Sequence, residues 1–268
     1  MKRIIPLSEL VRSDVRISGE KAVSLGELIR SGVAVPNGFV ITAEALKGHL
    51  PVEEVLDAFD RLGAEFVAVR PSVVSEGMMH SWAGQLEAFL GVKRDSLIDR
   101  IRESWSSMKS SKATAYMEKK GIRKGGVSVA VIVQRLIDAD VSGICFTSDP
   151  GDKTRMVVKA GLGLGNTIVG GLIEPDLYII DKGRMKITED KVNTQRAIGR
   201  LGRDELEVRD LDEVEGGDRK LKKDACIRLA EVCQQIEDYF AKPQVVEWCI
   251  EGDRLFIVQS GPASEPII

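Results

Sequence analysis

Segments of helical and strand periodicity alternate along the 268 residues and predict a mixed α/β chain, of the α+β kind, folded as two lobes. Two observations carry that expectation. Apolar residues recur at helical spacing in segments such as Val52 to Leu62 and Ala225 to Phe240, whereas Val127 to Gln134 and Val245 to Ile250 are short β-branched runs. A break marked by Gly121 and Gly125-Gly126 then sets the expected lobes at residues 1–122 and 123–268.

In the first lobe, Leu25, Leu28 and Ile29 define one face of a helix from Ala22 to Ile29 that Gly32 closes. Pro36-Asn37-Gly38 forms a turn into the strand Phe39-Val40-Ile41. Thr42 caps a helix expected to reach Leu50, with Glu44 in its first turn. Val55, Leu56 and Phe59 make the helix Val52 to Leu62 amphipathic, and Gly63 separates it from the strand Phe66 to Val69. That strand delivers Arg70-Pro71-Ser72 at its end, a place suited to a ligand contact and equally to a solvated arginine. A loop rich in small residues, Gly77 to Gly84, follows; helices are expected at Ser96 to Met108 and Lys112 to Lys119.

The second lobe opens on Val127 to Gln134. Strands Ile144 to Thr147, Arg155 to Lys159 and Leu177 to Ile180 come next, the middle one leading into Gly161-Leu162-Gly163-Leu164-Gly165. Charges crowd Arg200 to Lys223 without apolar periodicity, which predicts an exposed loop. Leu229, Val232, Ile236 and Tyr239 or Phe240 define the core face of a helix from Ala225 to Phe240. A hairpin of Val245 to Ile250 and Leu255 to Gln259 completes the fold.

Composition excludes several classes. The 38 basic and 41 acidic residues are interspersed and sum to a formal charge of -3, so no global field favours nucleic acid or an anionic membrane. Cys145, Cys226, Cys233 and Cys249 are scattered without a Cys-x-x-Cys pair, which argues against zinc and a disulfide framework and for buried thiols. The basic N-terminus has too short an apolar run for a signal peptide, and no stretch approaches a membrane span; a cytoplasmic location is expected. His49 and His80 have no nucleophile nearby and are expected to be structural or solvated.

Three constellations remain. With a three-residue turn Gly252-Asp253-Arg254, Glu247 lies opposite Gln259, Gly261 shares their face, and the carboxylate and amide present hard oxygen ligands suited to magnesium and phosphate. A two-residue turn would put the two on opposite faces, and on pattern alone the polar outer face of an edge hairpin is the plainer interpretation. The glycine run after Lys159 offers close backbone approach to phosphate, but Asn166 breaks the dinucleotide fingerprint, no P-loop is present, and a tight strand-to-helix turn explains the run equally well. Lys21 sits ahead of a helix whose N-terminal amides favour anions, although lysines are common there.

Four collinear blocks tip these alternatives. Gly19-Glu20-Lys21-Ala22-Val23-Ser24-Leu25-Gly26 with Val35-Pro36-Asn37-Gly38-Phe39 is similar to the opening of phosphoenolpyruvate synthases, where Gly-Gly-Lys-Asn-Ala-Ser-Leu-Gly leads to Val-Pro-Pro-Gly-Phe. Val67-Ala68-Val69-Arg70-Pro71-Ser72 and Ala83-Gly84-Gln85 match a Val-Arg-Ser-Ser and an Ala-Gly-Gln segment. Val131-Ile132-Val133-Gln134 with Ser142 to Pro150, and Val246-Glu247-Trp248 through Gln259-Ser260, supply the rest. The chain thus resembles the ATP-binding domain of the phosphoenolpyruvate synthase and pyruvate phosphate dikinase family, which implies a two-lobed ATP-grasp-type nucleotide-binding fold with ATP and Mg2+ held between the lobes.

The resemblance further implies that Lys21 and Arg70 contact the nucleotide phosphates as the catalytic cations. Gly84 belongs to the nucleotide-binding set, Gln134 lies where the adenine end is held, and Glu247 and Gln259 face the metal and phosphates. The activity implied is of the kinase or phosphotransferase type, as one part of a split enzyme whose phosphohistidine and pyruvate- or phosphoenolpyruvate-binding domains lie on separate chains; this polypeptide alone is not expected to make phosphoenolpyruvate. The departures point to an alternative, a catalytically impaired nucleotide-binding module serving regulation or assembly. Gly261 stands where the family has the arginine of Gln-x-Arg-Pro, Lys159 and Asn166 stand where it has acids, Pro71 replaces a small hydroxyl residue, and the segment between Leu50 and Val67 is shortened.

Overall fold

In the computed structural model, which describes residues 2–75, 82, 84–123, 125–203 and 206–263, strand alternation builds a five-stranded, a six-stranded and a small two-stranded antiparallel sheet in two units. The expected loop from Gly77 to Gly84, including His80 and Ala83, lies outside the described residues apart from Trp82 and Gly84.

The first unit contains, in order, β1 (Ile4–Pro6), α1 (Val15–Arg30), β2 (Gly38–Ile41), α2 (Ala43–Lys47), α3 (Val52–Leu62), β3 (Val67–Ser75), β4 (Phe89–Val92), α4 (Arg94–Ser106), α5 (Ser111–Lys120) and β5 (Val127–Arg135). Its five strands run in the order β1-β2-β5-β3-β4. One face, carrying Phe39, Val69 and Val133 in a cross-strand row, packs with Val55, Phe59, Leu97 and Ile101 of the helices. Burying a side chain such as Phe59 or Leu97 is worth roughly 1.5–3 kcal/mol, which is why the amphipathic periods of α3 and α4 settle on that face. The other face, with Val40, Ile132 and Arg70 in register, receives α1.

The second unit contains β6 (Val141–Phe146), β7 (Arg155–Leu162), α6 (Asn166–Val169), β8 (Asp176–Asp181), β9 (Lys186–Lys191), β10 (Ala197–Leu201), β11 (Leu206–Asp210), α7 (Glu213–Gly217), α8 (Lys223–Phe240), β12 (Gln244–Glu251) and β13 (Arg254–Pro262). Six of its strands form a sheet in the order β13-β12-β6-β7-β8-β9, while β10 and β11 pair separately. Val33–Val35 also belongs to it, since Ala34 O accepts the Ile257 amide at 2.8 Å. Among the described residues no helix is long and apolar enough to cross a membrane.

Several expectations change. The unit boundary falls after Leu136, not near 122, because Val127 to Arg135 is a central strand of the first sheet, paired on both sides. β3 continues through Arg70-Pro71 to Ser75; β4 pairs it only as far as Val69, so Pro71 lies where one side of β3 is an edge and proline is tolerated. α2 ends at Lys47, short of Leu50, although Thr42 caps it as expected, accepting from the Ala45 amide at 3.4 Å. The stretch from Arg200 to Lys223 holds β11 and α7, whose Asp212 caps Val214 and Glu215. On α8 the buried face is Cys226, Leu229, Ala230, Cys233 and Ile236, while Tyr239 is 50% exposed.

Candidate functional site

Two groups of predicted residues emerge, one in each unit. In the first unit α1 breaks at Gly19, which takes φ +78°, and resumes helically through Lys21. A side chain at Gly19 would place its Cβ 2.5 Å from both Ser72 Oγ and Val73 O, so only glycine admits this approach to β3. Ser72 Oγ then accepts the Ala22 amide at 3.3 Å and caps the resumed helix from across the sheet. Lys21 is thereby anchored beside the strand that carries Arg70, and Arg70 lies two residues, about 7 Å, from Ser72 on the same face. Both cations are half-buried. Glu20, next to Lys21, is engaged by Arg12 through two contacts of 2.7 Å.

Gln134 is 1% exposed, and its Nε2 donates to Pro36 O at 3.3 Å, fixing the turn before β2. Gly84 is exposed with φ +67°.

In the second unit Glu247 and Gln259 are cross-strand partners. The route differs from the one the sequence suggested. Glu251 pairs with Arg254, so the turn is the two-residue Gly252-Asp253, with Gly252 at φ +58°. A register shift between Glu247 and Trp248 inserts one extra residue on β13 and returns Gln259 to Glu247, and Gly261 to the same face opposite Val245.

Register extends this row across the sheet. Glu247 is opposite Ile144, Ile144 is opposite Lys159, and Lys159 is opposite Leu177, so Gln259, Glu247 and Lys159 share one face. The reverse face is fully buried, with Cys145, Val158, Tyr178 and Val246 at 0% exposure and α8 presenting Cys226 and Cys233 from the same unit. Burial pushes the Cys226 thiol up to about 12 and raises Cys233 as well, the state of inert core thiols. Residues on the first face are half-buried instead: Ile144, Phe146, Val157, Leu177 and Ile179 frame Lys159, and its Nζ stands 5.7 Å from the Phe146 ring centroid. The immediate surroundings of Lys159 on this face are apolar, the Glu247–Gln259 pair lies two and three strands away, and Lys191, opposite Leu177, continues the same row on the outer strand.

The glycine run does not form a phosphate cradle from three of its amides, which already donate within the chain. Leu162 N donates to Gln195 Oε1 at 2.7 Å, Gly163 N to Asp140 O at 2.8 Å and Leu164 N to Gly199 O at 2.9 Å. Asn166 opens α6.

Sequence reasoning missed a buried ion pair in the supposed charged loop. Lys220 and Asp176 meet at 3.3 Å with both side chains at 0% exposure. Asp176 also accepts from the Tyr178 hydroxyl at 3.0 Å, the Asn193 amide at 3.0 Å and the Lys220 amide at 2.9 Å. Burial and the adjacent Asp176 raise the Tyr178 phenol above its ordinary value. No local signal distinguishes Lys220 from its exposed neighbours, because its partner is 44 residues away.

The sequence profile of the family described as "Pyruvate phosphate dikinase, AMP/ATP-binding domain" matches residues 51–266. The chain belongs to that family. A probable phosphoenolpyruvate synthase from Archaeoglobus fulgidus is 32% identical over 97% of this chain and 41% of its own length. One from Methanothermobacter thermautotrophicus is 29% identical over 98% of this chain and 46% of its own. The rifampicin phosphotransferase of Bacillus subtilis is 28% identical over 97% and 36%. The chain therefore spans less than half the length of these relatives. A D-alanine–D-alanine ligase from Bacillus anthracis aligns over 96% of this chain and 58% of its own at 11% identity and a TM-score of 0.44, too distant to inform the site.

Proposed function

We propose that the chain is an ATP-binding, phosphotransferase-type domain of ATP-grasp character that works in the cytoplasm together with phosphohistidine and pyruvate- or phosphoenolpyruvate-binding domains. The observation that carries this is the pairing of Glu247 with Gln259 on the half-buried face of the second sheet, in a member of an AMP/ATP-binding domain family. Lys21 and Arg70, drawn onto one sheet face by the Gly19–Ser72 approach, are the phosphate-binding cations of the first unit. Gln134 and Gly84 belong to the nucleotide-binding set, Gln134 through the Pro36 turn it holds.

Magnesium fits the donors present. Glu247 and Gln259 offer hard oxygen atoms side by side, and among the described residues no cluster of three acids, histidines or cysteines forms a closed metal cage. Such a pair suits an ion that keeps part of its shell for phosphate and water. Glu247 and Gln259 would hold the ion, which would supply positive charge to offset that of the phosphates. The chain's own residues do the rest: Lys21 and Arg70 orient the polyphosphate, and its in-line positioning is most of what phosphoryl transfer requires.

A second interpretation, a nucleotide-binding module without catalysis, is favoured by Gly261, which leaves the shared face beside Gln259 without a guanidinium. Calorimetric titration with millimolar ATP and magnesium, with a thermal-shift assay alongside, tests nucleotide binding itself. Heat and a raised unfolding temperature are expected, since a ligand selective for the folded state stabilises it by mass action. Neither signal appearing would remove the nucleotide-binding assignment.

A further inference from the structure

We infer that Lys159 is a phosphate-contacting residue, and that it gives nucleotide binding a component independent of divalent metal. The inference rests on the nucleotide-binding assignment above and adds to it a ligand group on the open sheet face. Register places Lys159 two strands from Glu247, so their Cα atoms are about 10 Å apart and their side chains rise from the same face. A cation and a carboxylate–amide pair at that separation span a polyphosphate chain. The neighbours of Lys159 on this face are apolar: Ile144 and Leu177 across the strands, Val157 along its own, and Phe146 beneath the ammonium. Among the described residues no carboxylate pairs with Lys159.

A half-buried lysine lays its stem along such an apolar face and keeps its ammonium open to an anion that meets the face. Glu247 pulls in the opposite direction, because its charge repels a polyphosphate and a cation between the two offsets that repulsion. The two residues therefore divide the ligand's charge. Lys159 faces phosphate oxygens directly, and Glu247 faces them through a metal. Removing the metal leaves the Lys159 contact in place.

The test is titration of the full chain with ATP, in excess magnesium and in excess chelator, for wild type, Lys159→Gln and Lys159→Arg, with adenosine as the uncharged probe. A charge-assisted hydrogen bond to phosphate predicts that Lys159→Gln weakens metal-free ATP binding by about tenfold or more. The loss with magnesium should be smaller, adenosine binding should not change, and Lys159→Arg should retain most of the metal-free affinity. Circular dichroism and the melting temperature of each variant separate this from loss of the Phe146 contact. Equal losses with and without magnesium, or a change in stability with no change in metal-free affinity, would overturn the inference and leave nucleotide binding standing. A wild type that binds ATP in neither condition overturns both.

Discussion

The first unit positions its candidate cations by one close approach of a helix to a strand, whereas the second positions its candidate ligand groups by strand register. Lys21 depends on Gly19 and Ser72, 53 residues apart, meeting so that α1 can lie on β3. Glu247, Gln259 and Lys159 rely on ladder pairing instead: three adjacent pairings in one sheet, one of them joining Glu247 to Ile144, bring them to one face. The difference teaches where each arrangement is fragile. A site built on one close approach fails with one glycine or one hydroxyl, while a site built on register fails when the register slips or the sheet itself is lost.

The sharpest way to break the second arrangement is therefore to unfold its sheet from the side opposite the ligand groups. Asp176→Ala removes the acceptor for Lys220, Tyr178 and two backbone amides and leaves a buried ammonium unpaired. A loss of about 3–5 kcal/mol is expected, the cost of stranding one charge of a buried pair. Urea denaturation followed through the buried Trp248 measures it, and a change below about 1 kcal/mol would show the network to be dispensable.

The first arrangement breaks more locally. Gly19→Ala forces a side chain into φ +78°, ψ 162° and against Ser72 and Val73, and strain of that kind is worth roughly 1–3 kcal/mol before the collision is counted. Ser72→Ala removes only the cap on Ala22 N, worth about 1 kcal/mol. Both variants should lose ATP affinity together with stability, Gly19→Ala the more, in paired denaturation and calorimetric titrations. Unchanged affinity in a folded Gly19→Ala variant would mean that the approach of α1 to β3 does not position Lys21.

The same contrast explains what could be read from the sequence. Strands that alternate faces or run β-branched declare themselves, so β5, β6, β8, β12 and β13 were legible, as were the amphipathic α3 and α8. β4 and β9 were not, being short or charged at the edges of their sheets, where little burial imposes a pattern. The pairing of Glu247 with Gln259 was legible although its mechanism was not: the expected three-residue turn and the observed two-residue turn plus a bulge give the same register sum. Nothing in the local sequence announces a bulge of this kind. Contacts across the fold were invisible for a simpler reason. Ser72 caps a helix that starts 50 residues earlier, and Lys220 looks like any solvated lysine until Asp176 is beside it.

The central claim is that the register-built face of the second sheet meets a nucleotide through Glu247 and a divalent metal. Titrating ATP into wild type and Glu247→Gln, each with magnesium and with chelator, tests it most directly. Gln keeps the shape and an oxygen but not the charge, so ATP binding should weaken about tenfold in magnesium and stay within about twofold in chelator. Equal weakening in both conditions would contradict the claim and make Glu247 a structural residue of the hairpin.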